Sequence, residues 1–221
     1  MRLVLISDTH CQQKALKMPE GDVLIHAGDW THKGSESDTV EFLKWLNMQN
    51  YKHKVFISGN HDFYPERESV RFRKLLVTYA PDSLYLEDES TIIGGYKIYG
   101  SPISPEFCNW AFNRYRGPDI QKHWNLIPTD VEILITHGPV LGYGDTLSSY
   151  GSEPGKQIGC ADLLNTIDTR LKDLKLHICG HIHEGAGVYG HNNVMMVNAS
   201  VLDEHYRMKH QPKVIVLPDK S

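Results

Sequence analysis

Short runs of branched apolar residues alternate along the chain with amphipathic segments. Eight runs rich in Val, Ile, Leu or Tyr predict β-strands over residues 2–7, 22–27, 53–58, 96–100, 131–136, 175–179, 194–198 and 213–217. Three segments place apolar side chains at helical spacing and predict helices over residues 39–49, 66–79 and 159–172. Because strands alternate with helices, we expect an α/β fold built in layers.

Local signals indicate where the helices begin and where the pattern is weak. Asp38 and Glu41 have the spacing of a capping box, and Pro65 suits the first turn of the second helix. The segments 101–130 and 138–158 show little periodicity, so each is either a functional loop or contains elements that the pattern does not show.

A chain of 221 residues is expected to form a single domain over residues 1–221.

Composition narrows the classes of function. Hydrophobic residues make up 40% of the chain and charged residues 23%, as in soluble globular proteins, and we expect neither a membrane span nor a signal peptide. The formal net charge of −4 argues against a broad surface for extended nucleic acid. The cysteines lie far apart without a C-x-x-C motif, which predicts reduced thiols and a cytoplasmic protein; they are Cys11, Cys108, Cys160 and Cys179.

Side chains that bind metal ions follow five of the predicted strands. In chain order they are Asp8 and His10, Asp29, Asn60, His137, and His181 and His183. Because ligands bind at the carboxyl ends of strands in open α/β sheets, we expect these residues to converge. Their oxygen and nitrogen donors favour divalent transition metals over calcium or magnesium. Seven ligands exceed the needs of one four-coordinate ion and suit two ions, an arrangement that serves phosphoryl transfer.

The order of these motifs over residues 8–183 resembles the calcineurin-like metallophosphoesterase superfamily: D-x-H, G-D, G-N-H-D, H-G and G-H-x-H. Further stretches resemble its metallophosphoesterase-domain-containing group of small phosphodiesterases; they cover residues 101–105, 109–112, 135–139, 180–185 and 197–200. The resemblance implies a four-layer α-β-β-α sandwich, the calcineurin-like metallophosphoesterase fold. It also implies two divalent ions, with Mn, Fe and Zn as candidates.

The resemblance implies a role for each motif residue. Asp8, His10 and His183 correspond to the ligands of the first ion. Asn60, His137 and His181 correspond to those of the second, and Asp29 corresponds to the carboxylate that bridges both.

The resemblance also implies the catalytic groups. A hydroxide that bridges the ions attacks phosphorus in line, and His61 contacts the substrate phosphate and protonates the leaving oxygen. Asp62 is expected to orient the His61 imidazole and to hold it charged. Many relatives have the pattern D-x-H-x-G, and this chain has Gln12 in place of the glycine. The difference leaves the shape of the first loop undetermined, but it does not affect the identity of the ligands.

Local residues bear on which phosphoester is hydrolysed. Protein serine/threonine phosphatases carry arginines in the stretches that correspond to residues 28–34 and 58–62, and this chain has none there. Since a guanidinium clamp favours a dianionic monoester, its absence favours small phosphodiesters, with cyclic nucleotides as candidates. The alternatives are a phosphomonoesterase or nucleotidase, a nuclease, or a weakly active nucleotide-binding scaffold.

Two loops are candidates for contact with the substrate, in addition to Asn60. Trp110, Arg114 and Arg116 can stack on a nucleobase, and the alternative is that the aromatic residues of this loop pack beneath it. The glycine-rich segment 142–155, with Tyr143 and Tyr150, is either a lid beside His137 or a passive surface loop.

Other polar residues are expected to have supporting or structural roles. Asn198 and Ser200 either support the ligands or form hydrogen bonds only within their strand end. We expect His26 to be buried and hydrogen-bonded. We expect His32 and His123 to lie on the surface, and the alternative is that they line the mouth of the site. The expected partner is a small phosphoester, with no membrane and no extended nucleic acid; the oligomeric state is left open.

Overall fold

The structure is a computed structural model that describes residues 1–147 and 153–220. Its strands, in chain order, are β1 (Arg2–Ile6), β2 (Val23–His26), β3 (His53–Phe56), β4 (Ser83–Tyr85), β5 (Glu89–Ile93), β6 (Tyr96–Ser101), β7 (Ser104–Pro105), β8 (Asn113–Arg114), β9 (Ile133–Thr136), β10 (Leu176–Cys179), β11 (Gly187–His191), β12 (Val194–Asn198) and β13 (Lys213–Val216). The α-helices are α1 (Glu36–Asn47), α2 (Phe63–Arg67), α3 (Ser69–Tyr79), α4 (Pro118–Trp124) and α5 (Ala161–Arg170). None of these helices combines the length and apolarity that crossing a lipid bilayer requires.

The larger strands form two sheets. The five-stranded sheet has the order β13-β1-β2-β3-β4, and the six-stranded sheet has the order β11-β12-β10-β9-β6-β5. The strands β1 to β4 run parallel, as do β6, β9, β10 and β12, and antiparallel strands lie at three of the four edges. The carboxyl ends of the parallel strands of each sheet therefore meet at one edge.

Alternate residues of the strands face two different layers. Leu3 and Leu5 pack between the sheets against residues such as Ile133 and Ile178, whereas Val4 and Ile6 face the helices. Helices α1 and α3 cover the outer face of the five-stranded sheet, and α4 and α5 cover that of the six-stranded sheet. This arrangement confirms the predicted α-β-β-α sandwich.

The eight predicted strands are all present, but several elements differ from the prediction. The first helix begins at Glu36 with Ser35 as its cap, whose Oγ accepts a hydrogen bond from the Asp38 N–H at 3.1 Å, so the predicted Asp38 cap is wrong. The second predicted helix is two helices, because the backbone leaves the helical region at Glu68 (φ −129°, ψ 44°). The segment 101–130 contains β7, β8 and α4, and Tyr150 lies outside the described residues.

Candidate metal centre

The loops that follow β1, β2 and β3 meet those that follow β9 and β10, so both sheets contribute to one site. The loops after β1 and β2 are joined by backbone hydrogen bonds, from the Asp8 N–H to the Gly28 carbonyl and from the His10 N–H to the Asp29 carbonyl, both 3.0 Å. Asp8, His10, Asp29 and His181 adopt left-handed backbone conformations, with φ of 56°, 39°, 55° and 69°. Non-glycine residues with such φ values are uncommon and cluster at functional sites.

Two glycines are required because other groups approach the backbone closely. A Cβ atom at position 59 would overlap the Asp29 carboxylate and the His137 ring. A Cβ atom at position 180 would overlap the Asp8 carboxylate and the Ser7 side chain. Glycine therefore lets the ligands of neighbouring loops come together.

The ligand side chains form two adjacent clusters. Donor atoms of Asp8, His10 and His183 lie within 4.8 Å of one another, and so do those of Asp29, His137 and His181. The Asn60 Oδ1 lies 2.9 Å from the His137 Nε2, which adds Asn60 to the second cluster. The structure thus brings together the seven residues that the sequence suggests as ligands.

Asp29 lies between the two clusters. Its Oδ2 is 3.3 Å from the His137 Nε2 in one cluster and 3.7 Å from the His10 Nε2 in the other. Its Oδ1 accepts a hydrogen bond from the His61 N–H at 2.8 Å, which fixes the carboxylate. One carboxylate is therefore placed where it reaches both clusters.

Hydrogen bonds to backbone carbonyls orient three ligand imidazoles. The Nδ1 atoms of His10, His137 and His183 donate to the carbonyls of Thr31, Ala27 and Asp203, at 3.0, 2.9 and 2.9 Å. In the neutral rings each Nε2 then carries a lone pair that faces the site. The Nε2 atoms of His10 and His183 lie 3.3 Å apart, so when both rings are neutral their lone pairs face the same point and can bind one cation.

Burial and neighbouring charges shift the pKa values of the ligand side chains in opposite directions. Burial alone would raise the pKa of Asp29, but His137 and His10 outweigh it and hold the pKa below its ordinary value. Burial would lower the pKa of His137, yet Asp29 raises it to about 9. Burial lowers the pKa of His10 and of His181 to about 4. Opposed shifts in one buried cluster are typical of functional sites.

Two polar residues, Asn198 at the end of β12 and Ser200 just after it, form hydrogen bonds around the site. The Ser200 Oγ donates to the Asp8 Oδ2 at 2.6 Å. The Asn198 side-chain amide donates to the Ile182 carbonyl at 2.8 Å and to the Gly144 carbonyl at 3.1 Å, so it joins three loops. Of the two alternatives that the sequence leaves open for Asn198 and Ser200, the structure shows hydrogen bonds that reach beyond their own strand end.

His61 lies beside Asp29 and next to the first cluster, because donor atoms of His10, His32 and His61 also lie within 4.8 Å of one another. Its Nε2 is 3.9 Å from the Asp29 Oδ2, and its Nδ1 donates to the His32 carbonyl at 2.8 Å. The expectation that Asp62 orients this imidazole is therefore wrong, because the His32 carbonyl does so.

Asp62 is buried and holds two loops together instead. Its oxygens accept hydrogen bonds from the N–H groups of Gly59, Asp29 and Thr31 at 2.8, 2.9 and 2.9 Å, and from the Thr31 hydroxyl at 2.7 Å. Burial and the nearby charge of Asp29 raise the pKa of Asp62 to about 7, against the effect of these donors. Asp62 thus links the loop after β3 to the loop after β2.

Comparisons with known proteins agree with this geometry. A family model described as calcineurin-like phosphoesterase matches residues 1–185. The chain belongs to the calcineurin-like phosphoesterase family. Proteins of this family use a dinuclear metal centre and hydrolyse phosphoesters, and the two clusters contain candidate ligands for such a centre.

Curated relatives in this family cover nearly the whole chain. Metallophosphoesterase domain-containing protein 1 of Homo sapiens is 39% identical over 236 residues, which cover 98% of this chain and 71% of that protein. A UPF0046 protein of Caenorhabditis elegans is 35% identical over 231 residues, which cover 99% of this chain and 81% of that protein.

Solved structures share the fold at low identity. The phosphopantetheinyl hydrolase of Mycobacterium tuberculosis has a TM-score of 0.64 at 17% identity, over 98% of this chain and 96% of that one. The protein TT1561 of Thermus thermophilus has a TM-score of 0.57 at 15% identity, over 89% of this chain and 88% of that one.

The other predicted contacts are only partly at the site. The Trp110 ring lies beside His61, with a centroid distance of 4.2 Å. Arg114 donates to the His123 Nε2 and to the Asn113 carbonyl. Arg116 donates to the Ile158 and Gly159 carbonyls. The structure therefore uses both guanidinium groups to tie loops together.

Two aromatic residues beside the site differ from the favoured expectation: the sequence offers the site as the alternative position for His32 and does not single out Tyr206. His32, which we expected on the surface, is exposed, but its ring centroid lies 5.9 Å from that of His10 and 6.1 Å from that of His61. Tyr206 packs its ring on His10 and His183, at 4.9 and 5.1 Å. It comes after the last motif of the family, and no pattern in the sequence marks it. His26 is buried and contacts the Thr9 Oγ1, as predicted.

Proposed function

We propose that the protein hydrolyses small phosphodiesters in a reaction that depends on two divalent ions, with cyclic nucleotides as candidate substrates. The observation that supports a preference for diesters is the position of the arginines relative to the site. The loops that hold Asp29 and Asn60 contain none, and Arg114 and Arg116 donate to the protein's own acceptors. A second negative charge on a monoester would therefore lack a guanidinium partner.

The residues present fit such a centre, because three Nε2 lone pairs and a shared carboxylate converge in one buried space. In this proposal Asp8, His10 and His183 hold one ion and Asn60, His137 and His181 the other, with Asp29 shared. The ions, for which Mn, Fe and Zn are candidates, would lower the pKa of a water nucleophile and neutralise phosphoryl charge.

His61 is proposed as the acid that protonates the leaving oxygen. Because its Nδ1 donates to the His32 carbonyl, its second proton is carried on Nε2, which faces Asp29 and the clusters. In this proposal Asn60 contacts the substrate phosphate as well as an ion. The aromatic ring of Trp110 beside His61 is proposed to contact the ester group.

The proposal includes the organisation of the chain and its compartment. Ligands come from loops of both sheets, so we propose that residues 1–221 act as one metallophosphoesterase domain. The four cysteines are free, which supports a cytoplasmic protein without disulfides.

The experiment compares matched diesters and monoesters at one pH and one metal loading. We expect kcat/KM for bis-nitrophenyl phosphate to exceed that for nitrophenyl phosphate, and a 2′,3′- or 3′,5′-cyclic nucleotide to exceed its ring-opened monophosphate. If the monoester is the better substrate in both pairs, the phosphatase alternative replaces the diesterase. Absence of turnover on all four compounds would favour the nucleotide-binding scaffold.

A further inference from the structure

Three aromatic side chains outside the ligand set surround the His61 imidazole. The ring centroids of Trp110, His32 and Tyr206 lie 4.2, 6.1 and 6.4 Å from that of His61. We call Trp110, His32 and Tyr206 the aromatic rim. Tyr206 is 40% exposed, so part of its ring packs on the imidazoles of His10 and His183 while the rest is accessible to solvent.

Tyr206 is held in place by a buried anchor. It lies in the turn 203–207, where the Asp203 carboxylate accepts hydrogen bonds from the N–H groups of His205 and Arg207, both at 2.9 Å. The Arg207 guanidinium adds an ion pair to this carboxylate at 2.9 Å. The Gln12 side chain donates to the Tyr206 carbonyl at 3.0 Å, which ties the turn to the loop after β1.

The same turn is connected to the metal ligands. The Asp203 carbonyl accepts the hydrogen bond from the His183 Nδ1, so one residue fixes both a ligand and the turn that carries Tyr206. The Tyr206 backbone has φ of 59°, a conformation that is unfavourable for a bulky aromatic residue. Strain of this kind persists only where the surroundings impose it, and it points to a function for the side chain.

We propose that Tyr206 is a specificity residue, which together with Trp110 binds a planar aromatic group on the leaving side of the ester. The inference rests on the proposed function in one respect, namely that the leaving oxygen faces His61. In this proposal a group attached to that oxygen extends past the imidazole and into the rim. Flat aromatic faces bind planar groups by stacking, and this selects an aryl or nucleobase leaving group over an aliphatic one of similar size.

The test measures binding to the metal-loaded protein by calorimetry with three phosphonates that cannot be hydrolysed. Phenylphosphonate carries a planar ring, cyclohexylphosphonate a ring of similar size that is not planar, and methylphosphonate no ring. We expect wild-type protein to bind phenylphosphonate most tightly. Tyr206→Leu should weaken phenylphosphonate binding about 5–50-fold and change methylphosphonate binding less than about twofold.

Two further variants isolate the aromatic ring as the cause. Tyr206→Phe keeps the ring and should bind phenylphosphonate like wild type, because stacking needs no hydroxyl. Tyr79→Leu makes the same substitution as Tyr206→Leu at a half-buried position on α3, in the helix layer of the five-stranded sheet, and should bind all three phosphonates normally. Leucine and tyrosine both carry a Cβ, so the strained backbone at position 206 is the same in both proteins.

Two results would overturn the proposal. If Tyr206→Leu loses bound metal, or loses affinity equally for phenyl- and methylphosphonate, Tyr206 only packs against the ligands. If it binds every phosphonate as wild type does, the rim does not contact the ester group. These outcomes are separate from the diesterase test, because phosphonate binding needs no turnover. If the protein binds planar phosphonates selectively but hydrolyses monoesters better than diesters, only the proposed function is rejected.

Discussion

At the scale of single residues, the site depends on which nitrogen of each imidazole carries the proton. His10, His61, His137 and His183 all donate from Nδ1 to a backbone carbonyl, so all four direct Nε2 inward. The sequence suggests these histidines as site residues, because each follows a strand. It does not predict their tautomers, because the acceptor carbonyls belong to remote residues such as Thr31 and Asp203.

His61→Gln should separate the acid from the ligands. The variant should keep its full metal content, and its kcat on a diester with a poor leaving group should fall about 10²–10⁴-fold, the usual contribution of general acid catalysis. The loss should be smaller for a nitrophenyl diester, because nitrophenolate hardly needs a proton.

The measurement is kcat for both substrates together with metal analysis of the same preparation. An equal loss on good and poor leaving groups would remove His61 from the acid role. Loss of one ion would make it a ligand, which its position 3.9 Å from Asp29 also permits.

At the scale of elements, the loops after β2 and β3 act as one unit because the Asp62 carboxylate accepts hydrogen bonds from both. An amide in its place would turn one acceptor into a donor that faces the N–H groups of Gly59 and Asp29. Each buried N–H without a partner is unfavourable by about 1–3 kcal/mol.

Asp62→Asn should therefore lower the free energy of unfolding by about 2–4 kcal/mol and weaken metal binding through Asp29 and Asn60. Urea denaturation of the metal-free protein measures the first effect, and metal analysis measures the second. Asp130→Asn, which removes one partner of an exposed ion pair with Lys97, should change the free energy of unfolding by less than about 1 kcal/mol and leave metal binding unchanged. Normal stability, with a rate loss confined to poor leaving groups, would instead restore the role of orienting His61.

Sequence patterns predicted the central elements better than the peripheral ones. The buried parallel strands are continuous apolar runs, so the sequence predicts β1, β2, β9 and β10. Strand β5 is largely exposed and polar, and α4 has only seven residues, so neither has a strong period. Trp110 was predicted because it lies in an aromatic loop, whereas Tyr206 reaches the site only through the turn after β12.

At the scale of the whole molecule, the site joins the two sheets. Asp8, His10, Asp29 and Asn60 come from the five-stranded sheet, and His137, His181 and His183 come from the six-stranded sheet. An ion bound by both sets is lost when the sheets separate. Because it binds the folded chain only, it should stabilise the fold, by about 2.7 kcal/mol when its free concentration is 100 times Kd.

Asp29→Ala should weaken the binding of both ions, whereas His183→Ala should mainly affect one. Metal analysis of protein loaded with Mn²⁺ gives the stoichiometry, and the rise in Tm on adding Mn²⁺ gives the stabilisation. We expect nearly no rise for Asp29→Ala and an intermediate rise for His183→Ala. His53→Ala, at the opposite end of β3 from the site, is the control and should rise like wild type. One ion or none in fully loaded wild-type protein would contradict the dinuclear centre.

At the ligand positions, the left-handed backbone brings the stability of the fold into conflict with catalytic turnover. His10 and His181 are held at φ of 39° and 69°, where a side chain is unfavourable by about 1–2 kcal/mol relative to glycine. Evolution in the laboratory toward heat tolerance of the metal-free protein, without any demand for activity, would therefore enrich glycine or asparagine at these positions and remove the ligands first. A natural lineage released from the need for both the reaction and the bound ions would drift the same way, because only these two needs favour histidine over glycine at the two positions.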